Sequence, residues 1–377
     1  MENNGNIKAD VCFAALNSYA EQNIISPREK YIASRDLVEW GDGNRYPDYL
    51  IMLYRESSTL GSVIKGNVDY ICGDGAIFDG PALPGTELGK MNKRGDSPED
   101  QIRDIALDFE IYGGFALQVI RNLNGDISEV YWLDLRHLRT NKEADVFYYC
   151  EDWAKLGRKQ VIVYPKFMPN LNWQSLSLEE RKRHASSIVY VNNTHTQVYP
   201  SPIYCGAVKA CELERLTDDF HINSINNQFA SSVVLNFNNG VPEDRIKEQI
   251  EKDVNEKFSG AQNAGRILIS WSRDKEHAVS IDELKVEDFG ERYKALEASS
   301  RQKIFTAFRA IPLLFGLTSE SNTGFSTNEF EQSFRLYNRT QIRPVQLKIA
   351  RTYEYIFGRP CMSIKPFSLE GADINVK

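Results

Sequence analysis

The sequence predicts an α+β fold, and three observations carry that expectation. Short runs rich in β-branched and aromatic residues dominate from Phe115 to Asn193. Segments with apolar residues every three or four positions dominate from Gly206 onward. Between strand-like runs lie turn signals such as Asn124-Gly125-Asp126. At 377 residues, with 42% apolar and 11% aromatic side chains, the chain can bury a substantial core and hold two or three subdomains.

Taken in order, residues 1 to about 45 read as a polar, then mixed arm, with turn signals at Ser26-Pro27 and Gly41-Asp42-Gly43-Asn44. The segment Asp48 to Tyr70 reads as one helix, and Gly73 to Asp96, rich in Gly and Pro, as an exposed loop. Ser97-Pro98-Glu99-Asp100 starts a helix, with proline at the first helical position and acids in the first turn. That helix runs to about Tyr112 and meets Gly113-Gly114. FALQVIRNLNGDISEVYWLDL reads as a hairpin, and VFYYCEDW, KQVIVYPKF and SIVYVNN as further strands. Residues 170–187 are a polar insertion with room for one short helix.

Gly206 to Phe229 is the first long helix of the second half, striped by Val208, Cys211, Leu216, Phe220, Ile225 and Phe229. Lys209 and Arg215 stand against Glu212, Glu214, Asp218 and Asp219, so it carries −2. A strand VVLNF, an acidic helix from Pro242 to Phe258 and a strand RILISW follow. In that acidic helix Glu243, Asp244, Glu248 and Glu251 are interleaved with Arg245, Lys247 and Lys252, which reads first as a solvated face. A helix from Phe289 should stop near Ile311-Pro312, since proline disfavours helical geometry in the residue before it. Across 285–309 six bases, Arg292 and Arg301 among them, face four acids. Thr318 to Ser326 is a small polar loop, and a new helix opens at Thr327 or Asn328. Pro344 interrupts a pattern that continues through Val345, Ile349 and Ile356, so a long kinked helix is predicted.

The net charge of −7 argues against a simple basic nucleic-acid binder. Six scattered cysteines with no CxxC read as reduced core thiols. The start MENNGNIKADV lacks the features of a signal peptide, and no apolar run approaches the about 20 residues of a membrane span. The segment from Gly85 to Lys90 has too few residues between its glycines for a phosphate loop, and Met91 stands where a magnesium-binding hydroxyl is needed. The five histidines form no HxH or HxxxH pair, and no GxSxG is present. No catalytic residue, metal ligand or cofactor is expected.

From Tyr199 onward the order of segments resembles the portal proteins of tailed phages. Tyr199-Pro200-Ser201-Pro202, NNQFASSVVLNF, KFSGAQNAGRILIS, AIPLLFGL, STNEFEQSF and RTQIRPVQLKI occur in the family's sequence, and the resemblance spans about Ile102 to Phe367. It implies a portal fold: an arm and α/β wing over 1–205, a first stem helix at 206–232 and a small α/β clip at 233–280. A second stem helix at 281–311, a tunnel-loop region at 312–327 and the kinked long helix with a wing strand at 328–377 complete it. The helical crown would be short or absent.

The resemblance also implies a dodecameric ring at one capsid vertex. Such a ring admits double-stranded DNA driven by the terminase large subunit, contacts major capsid or scaffolding protein, and later holds the head–tail adaptor. It would be a virion component assembled in the host bacterial cytoplasm, with no membrane and no enzymatic activity. Ser319, Glu320, Ser321, Asn322, Thr323 and Gly324 would line the channel. Glu212, Asp218, Asp219, Arg292 and Arg301 would be stem residues, Pro344 the kink, and Glu243, Asp244, Glu248 and Glu251 partner contacts on the clip. Two rivals stay open: another ring-forming head–tail connector, and a nucleic-acid-processing enzyme.

Overall fold

The computed structural model describes residues 25–155, 161–226, 233–237, 242–250, 267–271, 289–316 and 327–367. The chain divides into two compact units, one of Ile24–Leu213 with Ser299–Lys377, the other of Glu214–Ala298 with Met1–Asn23. Helices and sheets are mixed throughout, an α+β architecture.

In the larger unit the described part of the predicted arm enters a sheet. Strands β1 (Glu29–Ile32) and β2 (Leu37–Trp40) pair antiparallel. They edge a five-stranded sheet completed by β6 (Leu138–Thr140), β7 (Val146–Tyr149) and β8 (Ile162–Pro165), in the order β1-β2-β6-β7-β8. The anchor is Trp40, which is buried and stacks on Tyr199 with ring centroids 4.6 Å apart.

The single helix predicted over 48–70 is two, α1 (Tyr46–Glu56) and α2 (Ser58–Cys72). Ser57 makes the break: its backbone is extended (φ −90°, ψ 113°), and its hydroxyl accepts the Leu60 N–H. Apolar spacing persists on both sides, so periodicity hides the cap. The predicted exposed loop after α2 is also pinned. It contains β3 (Ala76–Phe78), which pairs antiparallel with β12 (Met362–Ile364). Met91 and Asn92 are buried, and the Asn92 amide donates to the Val130 carbonyl.

Helix α3 (Pro98–Tyr112) begins in a capping box between Ser97 and Asp100 and ends at Gly113, whose φ of 84° is left-handed. Strands β4 (Gly114–Arg121) and β5 (Ile127–Leu133) form the predicted hairpin. Strand β9 (Ser186–Asn192) pairs on the other side of β4, and α4 (Leu178–His184) occupies the polar insertion. One core joins these elements to the C-terminal helices: Leu50, Ile64, Ile105, Phe115, Ile304 and Ile349 belong to it, all inaccessible.

Helices α5 (Val208–Asn226) and α6 (Phe289–Phe308) each contain a point of division between the units, after Leu213 and after Ala298. In the smaller unit β10 (Val233–Phe237) and β11 (Ile267–Trp271) pair in parallel. Parallel strands need a crossover connection, and a helical stretch at 244–250 lies within it.

After α6 the chain turns at Arg309 (φ 51°) and forms a 3-10 turn at Pro312–Phe315. Helix α7 (Thr327–Tyr337) runs into a π segment, Asn338–Ile342, and then α8 (Arg343–Phe357). Pro344 therefore stands in the first turn of α8, directly after the widened backbone, where its missing N–H and bulky ring are easiest to place. No helix among the described residues is long and apolar enough to cross a membrane. The described cysteines are free thiols; Cys150, Cys211 and Cys361 are buried, but Cys205 is exposed, against the expectation of core thiols throughout.

Candidate functional site

The predicted channel residues Ser319, Glu320, Ser321, Asn322, Thr323 and Gly324 lie outside the described residues, but both flanks of that segment are described. They converge on one side chain of α2. Tyr70 lies 6.1 Å from Phe315 on the near flank, and 5.8 and 6.3 Å from Phe334 and Tyr337 on the far flank, centroid to centroid. Phe315 meets Tyr337 edge to face at 5.9 Å, an arrangement the ring quadrupoles favour. The Tyr70 hydroxyl donates to the Leu314 carbonyl at 2.8 Å. Gly66 lets this cluster close against α2, because a Cβ there would lie 2.7 Å from the Phe315 ring.

Polar latches hold the far flank along its length. The Tyr337 hydroxyl donates to Asn67 Oδ1 at 2.6 Å, and Asn67 Nδ2 donates to Glu110 Oε2 at 2.7 Å. Gln346 donates to the Ile71 carbonyl, and the Tyr353 hydroxyl to Gln101 Oε1. Burial pushes the Glu110 carboxyl up to about 7, a shift the Asn67 hydrogen bond partly offsets. The two flanks, at Leu314–Phe315 and Phe334–Tyr337, are thus held against α2 by aromatic packing and buried hydrogen bonds.

The expected stem residues are less uniform than their spacing suggests. Glu212 is buried and accepts the Tyr49 hydroxyl at 3.4 Å, so its charge is turned into the larger unit. In the smaller unit Arg215 is buried and pairs with Asp219 at 2.8 Å. Burial, then Glu214 and Glu297, raise the Asp218 carboxyl above its ordinary value. His221 lies 3.9 Å from Glu297 and 5.1 Å from the Tyr293 ring, and Phe220 stacks on Tyr293 at 5.0 Å. Meanwhile Leu216 and Phe220 of the predicted stripe, and Leu296 of α6, are 40–47% exposed. Arg301 is exposed, and Arg292 is carried by α6. Of the clip acids, Glu243, Asp244 and Glu248 are exposed, Asp244 pairs with Lys247 at 3.1 Å, and Glu251 lies outside the described residues. Among the described residues no group of three or more His, Cys, Asp or Glu side chains could hold a metal ion.

Sequence reasoning missed Arg139. It is inaccessible and makes hydrogen bonds to Asn44 Oδ1, the Asn44 carbonyl, the Arg136 carbonyl and the Leu138 carbonyl at 2.7–2.9 Å. Its guanidinium also lies over the Trp153 ring at 5.1 Å. A lone arginine in a strand of three residues gives no sign in the sequence that it is buried.

No protein-family model matches the sequence, and no curated protein does. Solved structures do. A chain in the neck of an empty gene transfer agent (GTA) particle, computed with C6 symmetry, is 14% identical, with a TM-score of 0.52 over 92% of this chain and 87% of that one. The virion of a native GTA particle contains a chain at 14% identity and TM-score 0.48, covering 90% of this chain and 86% of that one. The neck of a native particle computed with C12 symmetry gives 14% and 0.46, covering 92% and 88%. The first of these likenesses establishes a shared fold.

Proposed function

We propose that this chain is a structural subunit of the ring at the vertex of a phage-like particle, and within that class a portal. The observation that carries the reading is the fold likeness to a GTA neck chain, which takes in 92% of this chain and 87% of the other. The portal reading adds the order of segments after Tyr199 and the fastened base of the loop between Phe315 and Thr327. A ring built head to tail closes by rotation and needs two different contact faces on each subunit. The exposed Leu216, Phe220 and Leu296 suit one of them.

On this reading the ring is dodecameric and DNA enters through its channel during packaging and leaves during ejection. Energy comes from the terminase large subunit, docking at the exposed acids Glu243, Asp244 and Glu248. The capsid or scaffolding protein surrounds the wing and an adaptor later takes the terminase's place. The subunit itself catalyses nothing and holds no cofactor. The small side chains from Ser319 to Gly324 leave the duplex free to move, and Pro344 sets the course of the long helix behind them.

The test is bulk in the loop. Particles carrying Ser319→Trp and Asn322→Trp should assemble rings at wild-type yield and contain at least tenfold less packaged DNA, measured as nuclease-protected DNA per particle. Wild-type DNA content in the variant would remove the channel role from this loop.

A further inference from the structure

The helix behind the loop carries an unusual charge pattern. From Arg335 to Arg351 there are five bases, Arg335, Arg339, Arg343, Lys348 and Arg351, and no acid, in a chain whose net charge is −7. Three of them recur every fourth residue along α7, the π segment and α8. Arg335, Arg339 and Arg343 are exposed and line one wall of a groove of about 930 Å³, with Met362 and Ile364 of β12 on the other. Among the described residues only Arg335 of the three has a carboxylate nearby, Glu331 at 3.6 Å, and the pair is open to solvent, so it contributes little. Among the described residues no carboxylate lies within ion-pair distance of Arg339 or Arg343.

We infer that this groove binds the sugar-phosphate backbone of duplex DNA, through Arg335, Arg339 and Arg343. Eight residues of helix extend about 12 Å, and each DNA strand carries one phosphate per about 3.4 Å of axis. Three cations spaced along one wall of the groove therefore face a continuous line of phosphates. All three are arginines, whose planar fork takes a phosphate through two parallel hydrogen bonds. The contact is sequence-independent, and three cations per subunit hold the duplex weakly enough for it to slide. The inference names the DNA-contacting element of the proposed portal and rests on that reading only for the choice of polyanion.

The experiment measures binding of the purified full-length protein to a labelled random-sequence 100-base-pair duplex at 50 and 200 mM salt. The variants are R339E/R343E and, as a milder change at the same sites, R339Q/R343Q; K182E/R183E on α4 is the control. Wild-type affinity should fall with salt. Both groove variants should lose about 2 from the slope of log affinity against log salt, which shrinks the ratio of affinities at the two salts about tenfold. The control should keep the wild-type slope.

Unchanged slopes in the R339Q/R343Q variant overturn the inference, as does absence of wild-type binding at 50 mM salt. Arginine-dependent binding of poly-glutamate with none of DNA overturns it in favour of an acidic protein partner. Rings that form while the variants bind DNA like wild type would sink this inference and leave the portal reading standing. Arginine-dependent DNA binding by a protein that forms no rings would do the reverse.

Discussion

Replacing Arg139 with lysine is expected to destabilise the larger unit by about 3–5 kcal/mol, since hydrogen bonds to a charged group contribute about 1.5–3 kcal/mol each and lysine cannot keep all four. Four oxygens, on Asn44, Arg136 and Leu138, depend on this one guanidinium. A lysine ammonium has three donors at a point and cannot span positions that the planar fork reaches. It would also have to be desolvated, and burial already lowers the affinity of Arg139 itself for its proton. The backbone has little room to adapt, because Asn44 sits at φ 62° and its Oδ1 also accepts the Trp40 N–H. Urea denaturation followed by tryptophan fluorescence should show the midpoint shift, since Trp40 and Trp153 flank the site. A loss below about 1 kcal/mol would mean that the four acceptors find other donors.

The second large effect is a pH dependence that Glu110→Gln should abolish. The Glu110 carboxyl has a raised value of about 7 in the folded chain against an ordinary 4.5. The native state therefore holds a proton that the unfolded chain releases between those two values. Stability falls as pH rises through that window and is level above it. Glutamine keeps an acceptor for the Asn67 amide without a charge to bury. The variant should thus match the wild type below pH 4.5 and exceed it by about 3 kcal/mol at pH 8. Asp108, also raised by burial, adds a slope of the same sign. The difference between variant and wild type isolates Glu110. A constant difference from pH 4 to pH 8 would show that folding leaves the Glu110 value where the unfolded chain has it.

What the sequence revealed was local. The capping residues at Ser97 and the Asn124-Gly125 turn act within a few positions of themselves, and both appear where expected. The break at Ser57 escaped because a cap inside an unbroken apolar period leaves the period intact. The burial of Met91, Glu110 and Glu212 escaped for a different reason: the partners are remote in the chain. Tyr337 reaches Asn67 across 270 residues and Tyr49 reaches Glu212 across 163. At the candidate site the composition of the loop could be read directly, whereas the aromatic cluster that closes its base joins residues from α2, α6, the 3-10 turn and α7. The acid-free arginine row is plain in the sequence, but its meaning depends on the groove that β12 completes.

The central claim is that the chain forms a closed ring with a passage for DNA. Electron microscopy of the purified full-length protein, with class averages viewed end-on, tests it most directly. The account predicts closed rings of uniform subunit number around an opening wide enough to pass duplex DNA. A homogeneous population of monomers, or of closed particles without a central opening, at concentrations up to those reached in an infected cell would contradict it.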